Sequence, residues 1–246
     1  MHRTRRRRSN WRRNSLTGAE TSLVILACRV LQSVLEPQLR GAAVPVTFME
    51  YGFHRTPQLM TPALQEELDR LAEPSVVVVG YGLCGNGLAG LKARQHTLVV
   101  PRADDCITLL LGSYQSYITE FTAEPGTYYL TKGWLESGSH PLKEYRELLE
   151  KYDKETADWL MDEQYRNYKR VVLVAPNQEE LDAYRHKARE VADFCAERWG
   201  YRYEERIGSD EFVKKLVTVA HELKESTDDF LVIPPGGEVK QEMYWR

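Results

Sequence analysis

VVVVGYGLCGNGLAGLKARQHTLVVPRADDC, residues 76–106, holds two short β-branched runs on either side of a glycine-rich turn, and its reading decides the fold. Runs such as VVVVG at 76–80 and TLVVP at 97–101 are apolar at nearly every position. A strand half-exposed to water alternates apolar and polar residues, whereas a strand of a parallel sheet covered on both faces does not. The same pattern recurs outward along the chain at LVILAC (23–28), VPVTFME (44–50), RVVLVAP (170–176) and FLVIPP (230–235). Amphipathic stretches lie between these runs. One is expected to start at Thr61 as N-cap, with Pro62 at the first helical position and Leu64, Leu68 and Leu71 on one face. Another is capped by Asn177, with Glu180 three residues on, and buries Leu181, Tyr184, Ala188, Val191 and Cys195. The expected fold is α/β: an open, mostly parallel sheet flanked by helices in Rossmann-like layers, with a helical insert in the middle.

The insert spans about 113–167 and is aromatic, broken by EPGTYYLTKGW at 124–134 and SGSHP at 137–141, whose turn residues suggest an irregular connection. Residues 22–246 read as one domain, or as two lobes at 22–112 and 168–235 joined by the insert. Residues 1–21 read as a disordered, arginine-rich tail, since the first thirteen residues carry seven arginines and no acid. With 246 residues, 42% of them apolar and 28% charged, the chain can bury a sizeable core. The net charge of −3 leaves the body acidic once the tail is set aside, so nucleic acid is not an expected partner except for the tail, through counterion release. No run reaches the ~18 apolar residues of a membrane span, and LVILA is too short for a convincing signal peptide. A cytoplasmic protein is expected. The four cysteines are irregularly spaced, unlike a secreted disulfide framework, which leaves metal binding, catalysis or burial as their uses.

Ligands of open parallel sheets bind outside the carboxyl ends of the strands. Three cysteines fall at such ends: Cys28 closes LVILAC, Cys84 lies in GYGLCGNG, and Cys106 follows TLVVPRADD in the first turn of an expected helix. One such cysteine alone reads as a small buried hydrophobe. Three at equivalent positions point to a shared site assembled from separate loops, while Cys195 continues an apolar helical stripe and reads as core. His54, in MEYGFHRTP, is a candidate fourth ligand or proton donor, or an ordinary loop histidine. Beside Cys106, Arg102 could clamp an anion and Asp105 move a proton, with Asp104 capping the helix. Gly80, Gly82 and Gly85 have the spacing of a dinucleotide fingerprint, with Asp104 about twenty residues later. Asn86 and Gly87 interrupt that helix start, however, and only about ten residues remain before the next strand. A backbone nest at Gly85 and Asn86 for a phosphate, carboxylate or cluster sulfide fits better than a dinucleotide.

At CGNGL, PRADDCITLLLGS and PGTYYLTKGW the chain resembles a prokaryotic family named domain of unknown function 1638, over about residues 22–235. The resemblance places Cys28, His54, Cys84, Cys106 and the YYLTKGW segment, including Trp134, on family motif positions, and implies a substrate-binding role for Trp134. Lys132 stands where the family is expected to have proline, so it is given no catalytic role. The resemblance also implies a setting of anaerobic, corrinoid-dependent methyl transfer, with a corrinoid protein or methyltransferase as partner. The expected function is that of a metalloprotein enzyme acting on a small anionic, thiol or methylated substrate, a metal-dependent transferase or lyase. Cys28, Cys84 and Cys106 would hold an iron–sulfur cluster or zinc with one position open. Two alternatives stand beside it: an accessory carrier of a metal cofactor without turnover, and a nucleotide-binding enzyme using the Gly80–Gly85 turn.

Overall fold

A computed structural model describes residues 22–53, 56–220 and 222–246. Its strands are β1 (Ser22–Cys28), β2 (Val46–Met49), β3 (Ser75–Gly80), β4 (Thr97–Pro101), β5 (Thr127–Leu130), β6 (Arg170–Ala175), β7 (Arg202–Ile207) and β8 (Phe230–Ile233). Its α-helices are α1 (Gln32–Leu39), α2 (Met60–Asp69), α3 (Cys106–Leu111), α4 (Tyr114–Ala123), α5 (Lys132–Ser137), α6 (Pro141–Leu149), α7 (Lys154–Tyr165), α8 (Gln178–Trp199) and α9 (Glu211–Val219). The fold is α/β, with two mostly parallel sheets flanked by helices. Among the described residues no helix is long and apolar enough to cross a membrane.

The larger sheet has the order β2-β1-β3-β4-β8, parallel except for the antiparallel edge strand β8. Ala27 pairs with Gly80, and Val78 with Val99, so β1, β3 and β4 are neighbours whose carboxyl ends stand level. That alignment sends three connections off one edge, each carrying a cysteine. Val77, Val78, Val79, Leu98, Val99 and Val100 are fully buried, as strands packed on both faces require. Burying each such side chain stabilises the fold by ~1.5–3 kcal/mol.

The smaller sheet, β5-β6-β7, is wholly parallel. Strand pairing divides the chain differently from the two lobes read in the sequence. β5 comes from the stretch expected to be a helical insert and joins β6 and β7, whereas β8 returns to the larger sheet. β6 ties the sheets together by its period of two: Val172 and Val174 enter the larger core, while Val171, Leu173 and Ala175 face α8 in the smaller one.

Asn177 caps α8 as expected, its Oδ1 accepting from the Glu180 N–H at 2.9 Å, and Cys195 is fully buried on that helix. Two other caps differ. A 3-10 turn from Pro57 feeds α2 so that it already begins at Met60, and Thr61 is no N-cap; its hydroxyl donates to the Gly87 carbonyl at 2.6 Å. Asp105, not Asp104, caps α3, because Asp105 takes the extended backbone of an N-cap residue and its side chain accepts from the Ile107 and Thr108 N–H groups.

Candidate functional site

The β3–β4 connection builds one wall of the site. Beyond Gly80 the chain runs beside the segment after β4, with the Leu83 N–H donating to Ala103 O and the Cys84 N–H to Asp104 O, both at 2.8 Å. Gly82 makes this closeness possible, since a Cβ there would stand 2.6 Å from the Cα of Asp105. Cys84, Gly85 and Asn86 then take successive left-handed conformations, with φ of 48°, 64° and 68°. For a cysteine this backbone is strained, and such strain concentrates at functional sites. The chain continues through turns without forming a helix after β3, so the helix N-terminus that a bound pyrophosphate requires does not follow the Gly80–Gly85 turn.

The zippered loops bring the Cys84 and Cys106 sulfurs to 3.9 Å. Cys28, at the end of the neighbouring β1, lies within interaction range of both Cys106 and the Tyr81 hydroxyl. The contact with Cys106, followed by burial, holds the Cys28 thiol well above the ordinary thiol range. Cys106 is also held well above it: the contact with Cys28 lowers it, but the contact with Cys84 and burial outweigh that. Backbone N–H groups of Val30 and Gly82 reach the sulfurs of Cys28 and Cys106 respectively and favour the thiolate form. Among the described residues no three His, Cys, Asp or Glu side chains are already disposed about one metal position.

All three cysteines line one pocket of about 220 Å³. Its walls are apolar and aromatic, with Tyr51, Phe53, Met60, Tyr81, Ile107 and Trp134 among them. Trp134 is presented by α5, which approaches closely at Gly133; a Cβ there would stand 2.8 Å from the Tyr51 ring and 3.0 Å from Val30. Asp105 also lines the pocket, and burial pushes its carboxyl up to about 6.

Of the residues singled out in the sequence, Cys28, Cys84, Gly85, Cys106, Asp105 and Trp134 meet at this pocket. Asn86 and Arg102 are not among its lining residues, and the Arg102 guanidinium donates to the Trp245 carbonyl near the chain end. His54 lies outside the described residues, as does the arginine-rich tail. Sequence reasoning passed over Tyr81, Tyr51, Phe53 and Met60. Tyr81 left one signal, an aromatic residue set between Gly80 and Gly82 at a strand end, three residues before Cys84.

Fold and site together define an α/β protein with a cysteine-lined pocket at the carboxyl edge of its larger sheet. Residues 48–217 match the profile of the family described as Protein of unknown function (DUF1638), and the chain belongs to that family. No curated protein and no solved structure matches the chain.

Proposed function

We propose that Cys28, Cys84 and Cys106 are the thiolate ligands of zinc or an iron–sulfur cluster, with one coordination position open to a small substrate in the pocket. The observation that carries this reading is the meeting of three cysteines, from three separate segments, at one pocket. Two of the three donors are spaced as such a group requires. Thiolates on a tetrahedral metal with bonds of ~2.3 Å stand about 3.8 Å apart, and the Cys84 and Cys106 sulfurs are 3.9 Å apart. Cys28 would have to turn toward them to supply the third sulfur. When bound, such a metal supplies a Lewis acid that polarises or activates a substrate atom.

The chain's own residues do the rest. Val30 and Gly82 N–H groups stabilise negative charge on two of the sulfurs. Trp134, Tyr51 and Phe53 give the pocket apolar walls, beside which electrostatic interactions are stronger than in water. Asp105 is the only carboxyl among the described lining residues, held in place by its cap on α3. The test is iron, zinc, cobalt and labile-sulfide content of protein purified without oxygen, beside Cys28→Ser, Cys84→Ser and Cys106→Ser. Near-stoichiometric metal that falls in each variant is expected. A wild-type protein without metal, matched by its variants, would overturn the reading.

A further inference from the structure

Cys84 and Cys106 are 22 residues apart in the chain, yet their free thiols lie 3.9 Å from each other. Backbone holds this approach from both sides: Leu83 and Cys84 donate to the Ala103 and Asp104 carbonyls, each at 2.8 Å, and Gly82 lets the two segments close. A cysteine sulfur is one bond rotation from its backbone, so the paired loops themselves fix the nearness of the sulfurs. The S–S bond of a disulfide is ~2.05 Å long, which leaves the two sulfurs less than ~2 Å to travel.

Both thiols line the pocket, so a small molecule that enters it meets them as a pair. Cys195 is the contrast, fully buried on α8 and not among the pocket's lining residues. A second observation comes from the backbone of Cys84, held at φ of 48° beside the left-handed Gly85 and Asn86. Structural disulfides resist small thiols, whereas a bridge joined to a strained backbone and reached from a pocket is of the reducible, exchanging kind. Cys28 also lines the pocket, but its interactions are divided between Cys106 and the Tyr81 hydroxyl, and the loop pairing serves Cys84 and Cys106.

We propose that Cys84 and Cys106 form a reversible dithiol–disulfide couple that exchanges two electrons with small dialkyl disulfides entering the pocket. The thiolate of one cysteine attacks a sulfur of R–S–S–R, breaking the substrate's S–S bond and forming a mixed disulfide; the displaced R–S⁻ takes up the proton that the cysteine gave up. The thiolate of the other cysteine then attacks the protein sulfur of the mixed disulfide. The Cys84–Cys106 bond forms, and the second R–S⁻ leaves and takes that cysteine's proton. Two protein thiols are oxidised by two electrons in all, and one R–S–S–R is reduced to two R–SH. Excess R–SH runs both steps backwards. This couple goes beyond the metal reading and does not rest on it, because thiolates bound to a metal are withheld from exchange and the metal-free chain performs the step alone.

The test treats the folded full chain, freed of metal by a chelator, with hydroxyethyl disulfide, then alkylates the remaining thiols and maps every cysteine by mass spectrometry. The Cys84–Cys106 bridge is expected to exceed mixed disulfides by at least about tenfold, because its closure is intramolecular, and Cys195 is expected to stay untouched by the probe. Excess mercaptoethanol is expected to reopen the bridge in the folded protein. Cys84→Ser and Cys106→Ser should each stop at a mixed disulfide on the surviving partner, while the wild-type readings need no variant. No reaction in the folded wild type, mixed disulfides that persist there, a bridge that uses Cys28, or a bridge that opens only after denaturation would overturn the proposal. A chain that purifies without metal yet forms the Cys84–Cys106 bridge would overturn the metal reading and leave this couple standing.

Discussion

The Arg170 network of the smaller sheet and the carboxyl edge of the larger sheet treat their polar groups in opposite ways. In the smaller sheet, Arg170 lies buried at the start of β6 and every arm of its guanidinium is engaged: with Thr127 at 2.7 Å, Glu204 at 2.9 Å and Glu120 at 3.0 Å. Arg206 binds the same two glutamates and closes the network. At the carboxyl edge of the larger sheet, three thiols, a strained cysteine backbone and a buried tyrosine are gathered around an open space. A region built for stability satisfies its polar groups, whereas a region built for a ligand leaves them waiting for one. Substitutions in the first should therefore cost stability and leave metal content alone, and substitutions in the second should do the reverse.

The largest effect is expected at Arg170. Arg170→Met strands two partly buried glutamates and should lower unfolding free energy by about 3–5 kcal/mol in urea titrations, with the metal content of the folded protein unchanged. A loss under about 1 kcal/mol would break the comparison from the scaffold side. Next is Gly82→Ala, which drives a Cβ into the Asp105 backbone. Because neither loop can yield without parting Cys84 from Cys106, it should cost ~1–3 kcal/mol and also lower metal content. Stability lost with metal content intact would separate loop closure from the site.

A sharper contrast comes from replacing Cys84 in two ways. Both Cys84→Gly and Cys84→Ala remove the ligand, but only glycine accepts φ of 48° without strain. The glycine variant should be the more stable by ~1–2 kcal/mol in thermal or urea unfolding. Equal stability would mean that the backbone at 84 relaxes once the thiol is gone. The smallest effect is expected at Asp105, where Asp105→Ala should lose about 1 kcal/mol of α3 capping and Asp105→Asn almost none. A large loss in the asparagine variant would assign the carboxylate a role beyond the cap.

Strands buried on both faces were legible in the sequence because their β-branched runs leave no polar position: β1, β3, β4 and β6 sit where VVVVG and its counterparts place them. β7 was not, because its residues RYEERI carry charges that the Arg170 and Arg185 ion pairs consume in three dimensions. β5 was hidden inside an aromatic stretch that turn residues mark as irregular. The antiparallel course of β8 depends on how residues 222–229 return to the sheet, which no local pattern records. At the site, three cysteines at neighbouring strand ends could be grouped from chain order alone, and β1, β3 and β4 are neighbours. Arg102 was read into the site by its nearness in sequence to Cys106, yet its side chain turns to the chain end. Tyr81 was overlooked because its place among the three thiols is a property of the assembled fold and not of any spacing.

Whether Cys28, Cys84 and Cys106 bind one metal centre together is read by X-ray absorption at the metal edge of anaerobically purified protein. Three protein sulfurs are expected in the metal's shell at about 2.3 Å, with a sulfur lost or the metal absent in each single Cys→Ser variant. A shell of oxygen and nitrogen only, or one that keeps its sulfurs when Cys28 is replaced, would contradict it.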